Sequence, residues 1–171
     1  MRECPERTIE VIDTKAVAGA QRFQVLAAAM AAEKGWPIEQ IRERLEQIHQ
    51  QTELLFTVET LKYLAYGGRI GRVKAIAGSL LNVKPVIRLD EDGVLTTQGQ
   101  AHSRKGARVA IVKELIKTFG TDEPLWVTVL HGRWPEEAAL LAEELNDALN
   151  IERMDSIRIS TILGIHTGPG V

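Results

Sequence analysis

The chain has 171 residues, of which 44% are hydrophobic and 26% charged, and its formal net charge at pH 7 is −2. This length accommodates one domain, or one domain and part of another, and the balanced charge argues against a protein that mainly coats nucleic acid. The single cysteine, Cys4, excludes an internal disulfide framework, and no apolar run reaches the ~20 residues of a membrane-spanning helix. Because the N-terminus also lacks the apolar segment of a signal peptide, we expect a cytoplasmic protein without membrane insertion.

The first third of the chain is predicted to form a strand and two helices. A short strand is expected over residues 9–13, followed by an alanine-rich helix over residues 16–34 that ends at Gly35. Pro37 is typical of the first turn of a helix, and the next helix extends to about Thr52. Its apolar face consists of Ile38, Ile41, Leu45 and Ile48. A strand followed by a helix is half of an α/β unit.

A glycine-rich turn organises the next part of the chain, which begins with a strand at residues 55–58. Thr60 is expected to cap a short helix, and Gly67 is expected to end that helix in a left-handed turn. A second helix is predicted over residues 72–81, and it leads into a strand over residues 83–89. The turn therefore joins two helices that lie between two strands.

The remaining elements continue the alternation of strands and helices. Residues 90–93 are expected to close a hairpin, and Pro85 is expected at a sheet edge or a strand start because it has no N–H to donate. We predict strands over residues 83–89 and 95–100, a helix from Ser103 to Phe119, a strand over residues 125–130, a helix from Pro135, and a last strand over residues 157–161. From residue 54 onward the order is β-α-α-β-β-α-β-α-β, which predicts an α/β fold with an open sheet.

Common signatures of catalysis and metal binding are absent from the sequence. It contains no Gly-Lys-[Ser/Thr] of a Walker A loop and no G-x-S-x-G nucleophile elbow, and Ser79 is interpreted as an ordinary helix serine. Histidines occur at His49, His102, His131 and His166. Because they are scattered, without thiol or carboxylate at ligand spacing, no metal site is predicted. His131, at the end of a predicted strand, is interpreted as a structural residue.

Two polar clusters remain as candidate sites. In the turn over residues 67–72, glycines expose N–H groups while Arg69 and Arg72 bring two guanidinium groups, which favours an anion or an acidic partner surface. The alternative is that these glycines, Gly68 among them, merely join two helices and that the arginines are solvated. The second cluster, at residues 166–168, offers an imidazole, a hydroxyl and a backbone turn. It is either a polar pocket for a carboxylate or phosphate, or an ordinary capped turn.

The sequence resembles the DegV family, the lipid-carrying subunits of the bacterial fatty acid kinase system. The resemblance rests on LKYLAYGGRIG, on SLLNVKPVIRLDEDGVL with the basic SRKGAR after it, and on HTGPG, while IEVIDT with its alanine-rich helix matches the middle of the family. It covers essentially the whole chain but only the latter part of the family's usual length.

The resemblance implies an α/β protein with two lobes and an acyl chain buried between them. Residues 1–52 would be the tail of an N-terminal parallel α/β lobe. Residues 53–171 would form most of a C-terminal DegV-like lobe, an open, mainly antiparallel sheet with helices. The family's threonine and serine that bind the carboxylate lie in motifs before IEVIDT, so we expect this chain alone to bind fatty acid weakly or not at all.

The resemblance also implies a function and places residues in it. The ligand is a long-chain fatty acid, and a separate kinase subunit phosphorylates its carboxylate, so the chain itself is not an enzyme and needs neither cofactor nor metal. His166 corresponds to the position near the carboxylate, with Thr167 and Gly168 shaping the turn. Arg69 is expected to serve ligand-site electrostatics or kinase docking. Arg72 and Gly68 are expected to contact a partner or an anion, and an exposed lobe face leaves a homo-oligomer open.

Two other classes of function compete with this interpretation. Gly68-Arg69-Ile70-Gly71 between two helices imitates the loop of a KH-like RNA-binding module, although the net charge of −2 weighs against nucleic acid as the partner. The second is an enzyme, by distant likeness to the substrate-binding subunit of dihydroxyacetone kinases. That function predicts contact of His166 or His131 with a small ketone.

Overall fold

The computed structural model describes residues 9–73 and 83–171, which contain six helices and two sheets. The helices are α1 (Ala18–Glu33), α2 (Ile38–Gln50), α3 (Lys62–Tyr66), α4 (Arg104–Phe119), α5 (Pro135–Ala148) and α6 (Thr161–Thr167), with a 3-10 turn at Gly71–Val73. The strands are β1 (Leu55–Thr57), β2 (Lys84–Leu89), β3 (Leu95–Ala101), β4 (Leu125–His131) and β5 (Ile151–Arg158). The predicted α/β class is confirmed.

The strands form two sheets instead of the single open sheet expected from the element order. In the first sheet β2 pairs antiparallel with β1 on one side and β3 on the other. In the second sheet β4 and β5 pair in parallel, which the crossover through α5 makes possible. Pro85 is the second residue of β2 and lies outside the register with β1, as predicted for a strand start.

Helices α4 and α5 hold the two sheets together. Ser103 caps α4 as predicted, because its hydroxyl accepts a hydrogen bond from the N–H of Gly106 at 3.0 Å. Helix α4 packs on β2 and β3, α5 packs on β4 and β5, and the two helices contact each other. The core between them consists of Val86, Ala107, Ile111, Val112, Val129, Ala138, Leu145 and Leu149. Apolar contact therefore fixes one sheet relative to the other.

Buried ions reinforce the same contact between α4 and α5. The guanidinium of Arg108, itself buried, donates to Glu144 Oε1 from Nε at 3.1 Å and also pairs with Glu137. The hydrogen bonds that Arg108 donates to Glu144 and Glu137 raise its pKa against the opposing effect of burial. These ion pairs therefore link α4 to α5 in addition to the apolar core.

Helix α1 packs on α2 and on the parallel sheet. Gly19 allows the close approach, since a Cβ there would lie 3.1 Å from Leu130 Cδ1 on β4. Arg22 of α1 pairs with Asp155 of β5 at 2.9 Å. The first helix is therefore tied to both strands of the parallel pair.

Residues 9–13 do not form the predicted strand. Ile9, Val11 and Ile12 are exposed, and no strand within the described ranges pairs with them. Their alternating pattern satisfies the sequence rule for a strand, but a strand forms only when a neighbour accepts its hydrogen bonds.

The predicted last strand over residues 157–161 is also wrong. Strand β5 runs from Ile151 to Arg158, and α6 begins at Thr161. Ser160 caps that helix by accepting a hydrogen bond from the N–H of Leu163 at 3.5 Å. The alternation of apolar residues continues past the end of the strand, whereas the serine marks where the helix starts.

Two further predictions concern the glycine-rich turn. Gly67, expected to be left-handed, has φ −75°, and Gly68 takes that conformation with φ +68°. Of the helix predicted over residues 72–81, only the start lies in the described ranges, where Gly71–Val73 form the 3-10 turn. Ser79 lies outside the described residues. The left-handed residue of this turn is therefore Gly68, one position later than predicted.

Candidate ligand site

The two sequence-predicted clusters meet where α3 packs against α6. A Cβ on Gly67 would lie 3.0 Å from Cε1 of His166 and closer still to Nδ1, so only glycine leaves room for the imidazole. A Cβ on Gly168 would lie 2.7 Å from Cε2 of Tyr63, and Gly168 also has φ +79°. Gly67 of the first cluster thus makes room for the imidazole of His166 on α6, and Gly168 of the second makes room for the ring of Tyr63 on α3. The two clusters form one site.

Backbone hydrogen bonds place Arg69 beside this contact. Its N–H donates to the carbonyl of Leu64 at 2.9 Å, and its Nη1 donates to the carbonyl of Gly67 at 2.7 Å. The left-handed Gly68 lets the chain fold back to make both bonds. The guanidinium is therefore held over the residue that contacts His166, and its other N–H groups donate to none of the described residues.

The other predicted residues occupy different environments. The hydroxyl of Thr167 donates to the carbonyl of Leu163 at 3.1 Å, so its proton is used within α6. Arg72 pairs with Asp90 Oδ2 at 3.3 Å, and it points to the β2–β3 hairpin. Gly168 is buried against Tyr63. Arg69, His166 and Gly68 are therefore better placed to contact a ligand than Arg72 or Gly168.

His131, which sequence reasoning interpreted as structural, reaches the same region. It ends β4, and the N–H of the next residue, Gly132, donates to the carbonyl of Val171 at 3.0 Å. The segment ending at Val171 also bonds to the first sheet, because the N–H of Glu59 donates to the carbonyl of Gly170 at 3.0 Å. Residues 168–171 therefore bring the end of β4, α6 and β1 together. Ligands commonly bind at the carboxyl ends of parallel strands. The position of His131 at the end of a predicted strand could therefore have indicated a site residue.

Both histidines have a buried nitrogen without a partner. Within the described part of the chain, Nδ1 of His131 and Nδ1 of His166 make no hydrogen bond. A buried polar atom without a partner costs about 1–3 kcal/mol, so it is usually paired in the functional state. Both imidazole rings line the cleft, so a polar ligand group in it would lie beside them.

A second set of charges lies at this end of the molecule. Glu59 pairs with Lys84 and, at 3.3 Å, with Nε of Arg104, whose guanidinium stacks 3.6 Å from the ring centroid of Trp134. The hydrogen bond from Lys84 lowers the pKa of Glu59, and the charge of Arg104 acts in the same direction. The end of the molecule that carries His166 therefore combines two imidazoles with three cationic side chains.

These residues line one end of a large apolar cleft. The cleft has a volume of about 1400 Å³, and its lining includes Arg69, Arg104, His131, His166 and Thr167. Most of its surface is apolar and comes from α1, β1, α4, α5 and β4, through Phe23, Leu26, Met30, Leu55, Ile111, Leu115, Phe119, Val127, Leu141 and Leu145. Ligand pockets commonly measure about 300–1,000 Å³, so this one can hold a long apolar molecule with a polar end.

The described residues provide neither a cluster of metal ligands nor a membrane-spanning helix. Over residues 9–73 and 83–171, no group of three or more His, Cys, Asp or Glu side chains is placed to hold a metal ion. None of the helices in these ranges is long and apolar enough to cross a bilayer.

Comparison with known proteins identifies the family. A family model described as "Uncharacterised protein, DegV family" matches residues 1–171. This chain belongs to the DegV family. A DegV domain-containing protein of Deinococcus radiodurans is 37% identical over 169 residues, which are 98% of this chain and 59% of that protein. One from Streptomyces coelicolor is 33% identical over 171 residues, covering 99% of this chain and 60% of the relative.

Solved DegV structures have the same fold. A fatty-acid-binding DegV family protein from Thermus thermophilus matches with TM-score 0.89 and 32% identity, over 99% of this chain and 60% of that one. A stearic acid-binding protein from Eubacterium ventriosum matches with TM-score 0.88 and 29% identity, over 99% and 59%. This chain thus spans about 60% of the length of these DegV relatives. The matches give the KH-like alternative no support, and the division at residue 52 stays a prediction.

Proposed function

We propose that this DegV chain binds a long-chain fatty acid in the cleft and presents the carboxylate to a separate kinase subunit. The observation that carries the proposal is the contact between Gly67 and His166, because it brings both polar turns to one end of an apolar cleft. Two relatives of similar fold are described as binding fatty acid or stearic acid. These relatives support a fatty acid as the ligand.

The chemistry of the cleft suits a fatty acid. Transfer of an acyl chain from water contributes about 0.8 kcal/mol per CH₂, so the apolar lining supplies most of the affinity. A carboxylate placed at the polar end needs hydrogen bonds, since an unpaired buried charge is costly. The Arg69 guanidinium and the imidazoles of His131 and His166 can supply them, which gives the ligand its orientation.

The same site leaves the phosphoryl transfer to a partner. No nucleotide-binding motif occurs in the sequence, and the candidate residues offer hydrogen bonds and positive charge for a carboxylate. We therefore assign the chain the role of a carrier in a kinase system, located in the cytoplasm, and not of a catalyst. Arg104, 47% exposed beside the polar end, provides a cation at the surface where a kinase would reach the carboxylate.

Stearic acid titrated against the 171-residue chain tests the fatty-acid part of the proposal, with displacement of a fluorescent fatty acid as the readout and native mass spectrometry for the stoichiometry. The resemblance left weak binding or no binding open for this chain, and the apolar cleft with Arg69 at its polar end favours weak binding. We therefore expect one acid per chain and an affinity weaker than that of a relative of full length. Arg69→Gln should weaken binding about tenfold or more, since a charge-assisted hydrogen bond contributes about 1.5–3 kcal/mol.

Arg72→Gln is the matched control. It removes a guanidinium from the same turn, but one that pairs with Asp90 instead of lining the cleft. Its affinity for stearic acid should equal that of the wild type. Absence of binding in the wild type, or equal losses in the two variants, would contradict the proposed site. Co-purification with a kinase, and its loss in Arg104→Gln, tests the partner separately.

A further inference from the structure

Two cations share one carboxylate at the polar end of the cleft. Lys84 at the start of β2 and Arg104 at the start of α4 both pair with Glu59. Within residues 9–73 and 83–171, Glu59 is the only carboxylate that bonds to either of them. Glu137 also lines the cleft, but it is bonded to Arg108. Two positive charges therefore face a single negative charge at this position.

Both cations have a further contact, whereas the carboxylate depends on the cations alone. The guanidinium of Arg104 stacks 3.6 Å from the ring centroid of Trp134, and Nζ of Lys84, whose side chain is 17% exposed, lies 3.4 Å from the backbone carbonyl oxygen of Glu59. The carboxylate of Glu59 is 40% exposed and, in the described part of the chain, bonds only to these two side chains. Exposed ion pairs contribute little to stability, so another anion can take the place of this carboxylate.

Backbone contacts place the two cations next to the imidazoles. A Cβ on Gly170 would lie 2.6 Å from Cβ of Glu59 and 3.0 Å from Cη2 of Trp134. Gly168, at the end of α6, precedes Gly170 by two residues, so their Cα atoms are at most about 7 Å apart. A Cβ on Gly132, just after β4, would lie 3.7 Å from the carbonyl oxygen of Gly168. The cations are therefore close to the ends of α6 and β4, which carry the two histidines.

The kinase step of the proposed function raises the charge of the bound ligand. A carboxylate oxygen bonds to the γ-phosphorus of a nucleoside triphosphate, and the bond from that phosphorus to the β-phosphate oxygen breaks, which releases the nucleoside diphosphate. The carboxylate carries one negative charge, whereas a phosphoryl group carries about −1.5 to −2 at pH 7. The product therefore needs more cationic partners than the fatty acid does.

We propose that Lys84 and Arg104 form a phosphate subsite, which the Glu59 carboxylate occupies until the phosphoryl group of the acyl phosphate product replaces it. This inference rests on the proposed function and assigns residues to the product of that same site. The ammonium group offers three donors, and the guanidinium pairs with two phosphate oxygens at once. Because Glu59 competes for both cations, the subsite favours the doubly charged product over the singly charged fatty acid.

The test uses a stable analogue of stearoyl phosphate, the β-ketophosphonate in which CH₂ replaces the bridging oxygen. It is titrated against the 171-residue chain in competition with a fluorescent fatty acid, with stearic acid as the reference ligand. Lys84→Gln should weaken phosphonate binding about tenfold or more, because it removes a charge-assisted hydrogen bond. Glu59→Gln should strengthen phosphonate binding about two- to fivefold, because the competing ion pair is lost. Both variants should change stearic acid affinity by less than about twofold, since salt screens the more distant charges.

Arg153→Gln is the matched control for Arg104→Gln. The side chain of Arg153 is 48% exposed, pairs with Asp155 at 3.4 Å and lies 5.1 Å from the ring centroid of Trp126, but it is not among the described residues that line the cleft. Arg104 is 47% exposed and has the same two kinds of contact. Arg104→Gln should weaken phosphonate binding about threefold or more, since it removes an interaction with a charged group. Arg153→Gln should leave phosphonate affinity at the wild-type value.

The outcomes separate the subsite from the proposed function. Unchanged phosphonate affinity in Lys84→Gln would overturn the subsite, as would weaker phosphonate binding in Glu59→Gln or equal losses in Arg104→Gln and Arg153→Gln. Each of these results leaves the fatty-acid site intact if stearic acid still binds. The gain expected for Glu59→Gln cannot arise from unfolding, and circular dichroism checks the other variants. Failure of the wild type to bind stearic acid would contradict the proposed function itself.

Discussion

Alanine at position 67 tests whether the fit between the two turns creates the site. A Cβ there would lie 3.0 Å from His166 Cε1, closer to Nδ1, and 3.2 Å from the carbonyl oxygen of Tyr63. Because Gly67 has φ −75°, alanine adopts its backbone conformation without strain, and the change acts through overlap alone. Overlap of this kind costs about 1–3 kcal/mol.

Gly67→Ala should therefore lower the free energy of unfolding by about 1–3 kcal/mol, measured by urea titration. It should also weaken stearic acid binding about tenfold or more, because the imidazole must leave its position in the site. The control is Gly120→Ala, where φ is +74° and a Cβ would meet nothing within 4 Å. That variant should lose about 1–3 kcal/mol through backbone strain and keep its affinity.

The comparison of the two variants decides the outcome. Wild-type affinity in Gly67→Ala would refute the claim that the packing of α3 on α6 positions His166 for the ligand. Equal losses of affinity in Gly67→Ala and Gly120→Ala would instead attribute the change to general destabilisation.

Three further predictions concern stability. Gly168→Ala should lose about 2–4 kcal/mol in urea unfolding because its Cβ would overlap Tyr63 and its φ is +79°; a loss no larger than that of Gly120→Ala would contradict the overlap. Arg108→Met should lose about 2–4 kcal/mol, since it leaves two half-buried glutamates of α5 without their partner; an unchanged unfolding midpoint would contradict it. Because burial raises the pKa of Glu53 above 4.5 in the folded state, its stabilising contribution is present below 4.5 and is lost as the pH rises through the folded pKa. Relative to Glu53→Gln, the wild type should therefore lose stability with rising pH in a series of urea titrations, and a gain would contradict the sign.

Local signals predicted many of the elements because their causes are local. Ser103 before α4, Gly120 after it and Pro135 at the start of α5 act through a few neighbouring backbone groups. Strand formation is different, because it requires a partner strand. Residues 9–13 have the pattern and no partner in the described ranges, while Ile151–Arg158 have a partner and only part of the pattern.

The candidate site, like the strands, could be predicted from the sequence only in part. Glycines and arginines in the turn at residues 67–72 indicated an anion site, and the family resemblance placed His166 near the carboxylate. The packing of His166 against Gly67 could not be predicted. His166 fills the space that a Cβ at position 67 would occupy, and it is distant in sequence. His131 was missed for a related reason. Whether a buried nitrogen or oxygen is paired depends on the packed structure and not on the neighbouring residues.

A crystal structure of the chain with stearic acid tests the central claim most directly. We predict the carboxylate within hydrogen-bond distance of Arg69 and His166, with the acyl chain extending past Leu55 toward Leu115. A carboxylate bound at the opposite end of the cleft, or an acid bound outside it, would contradict the assignment of the polar end.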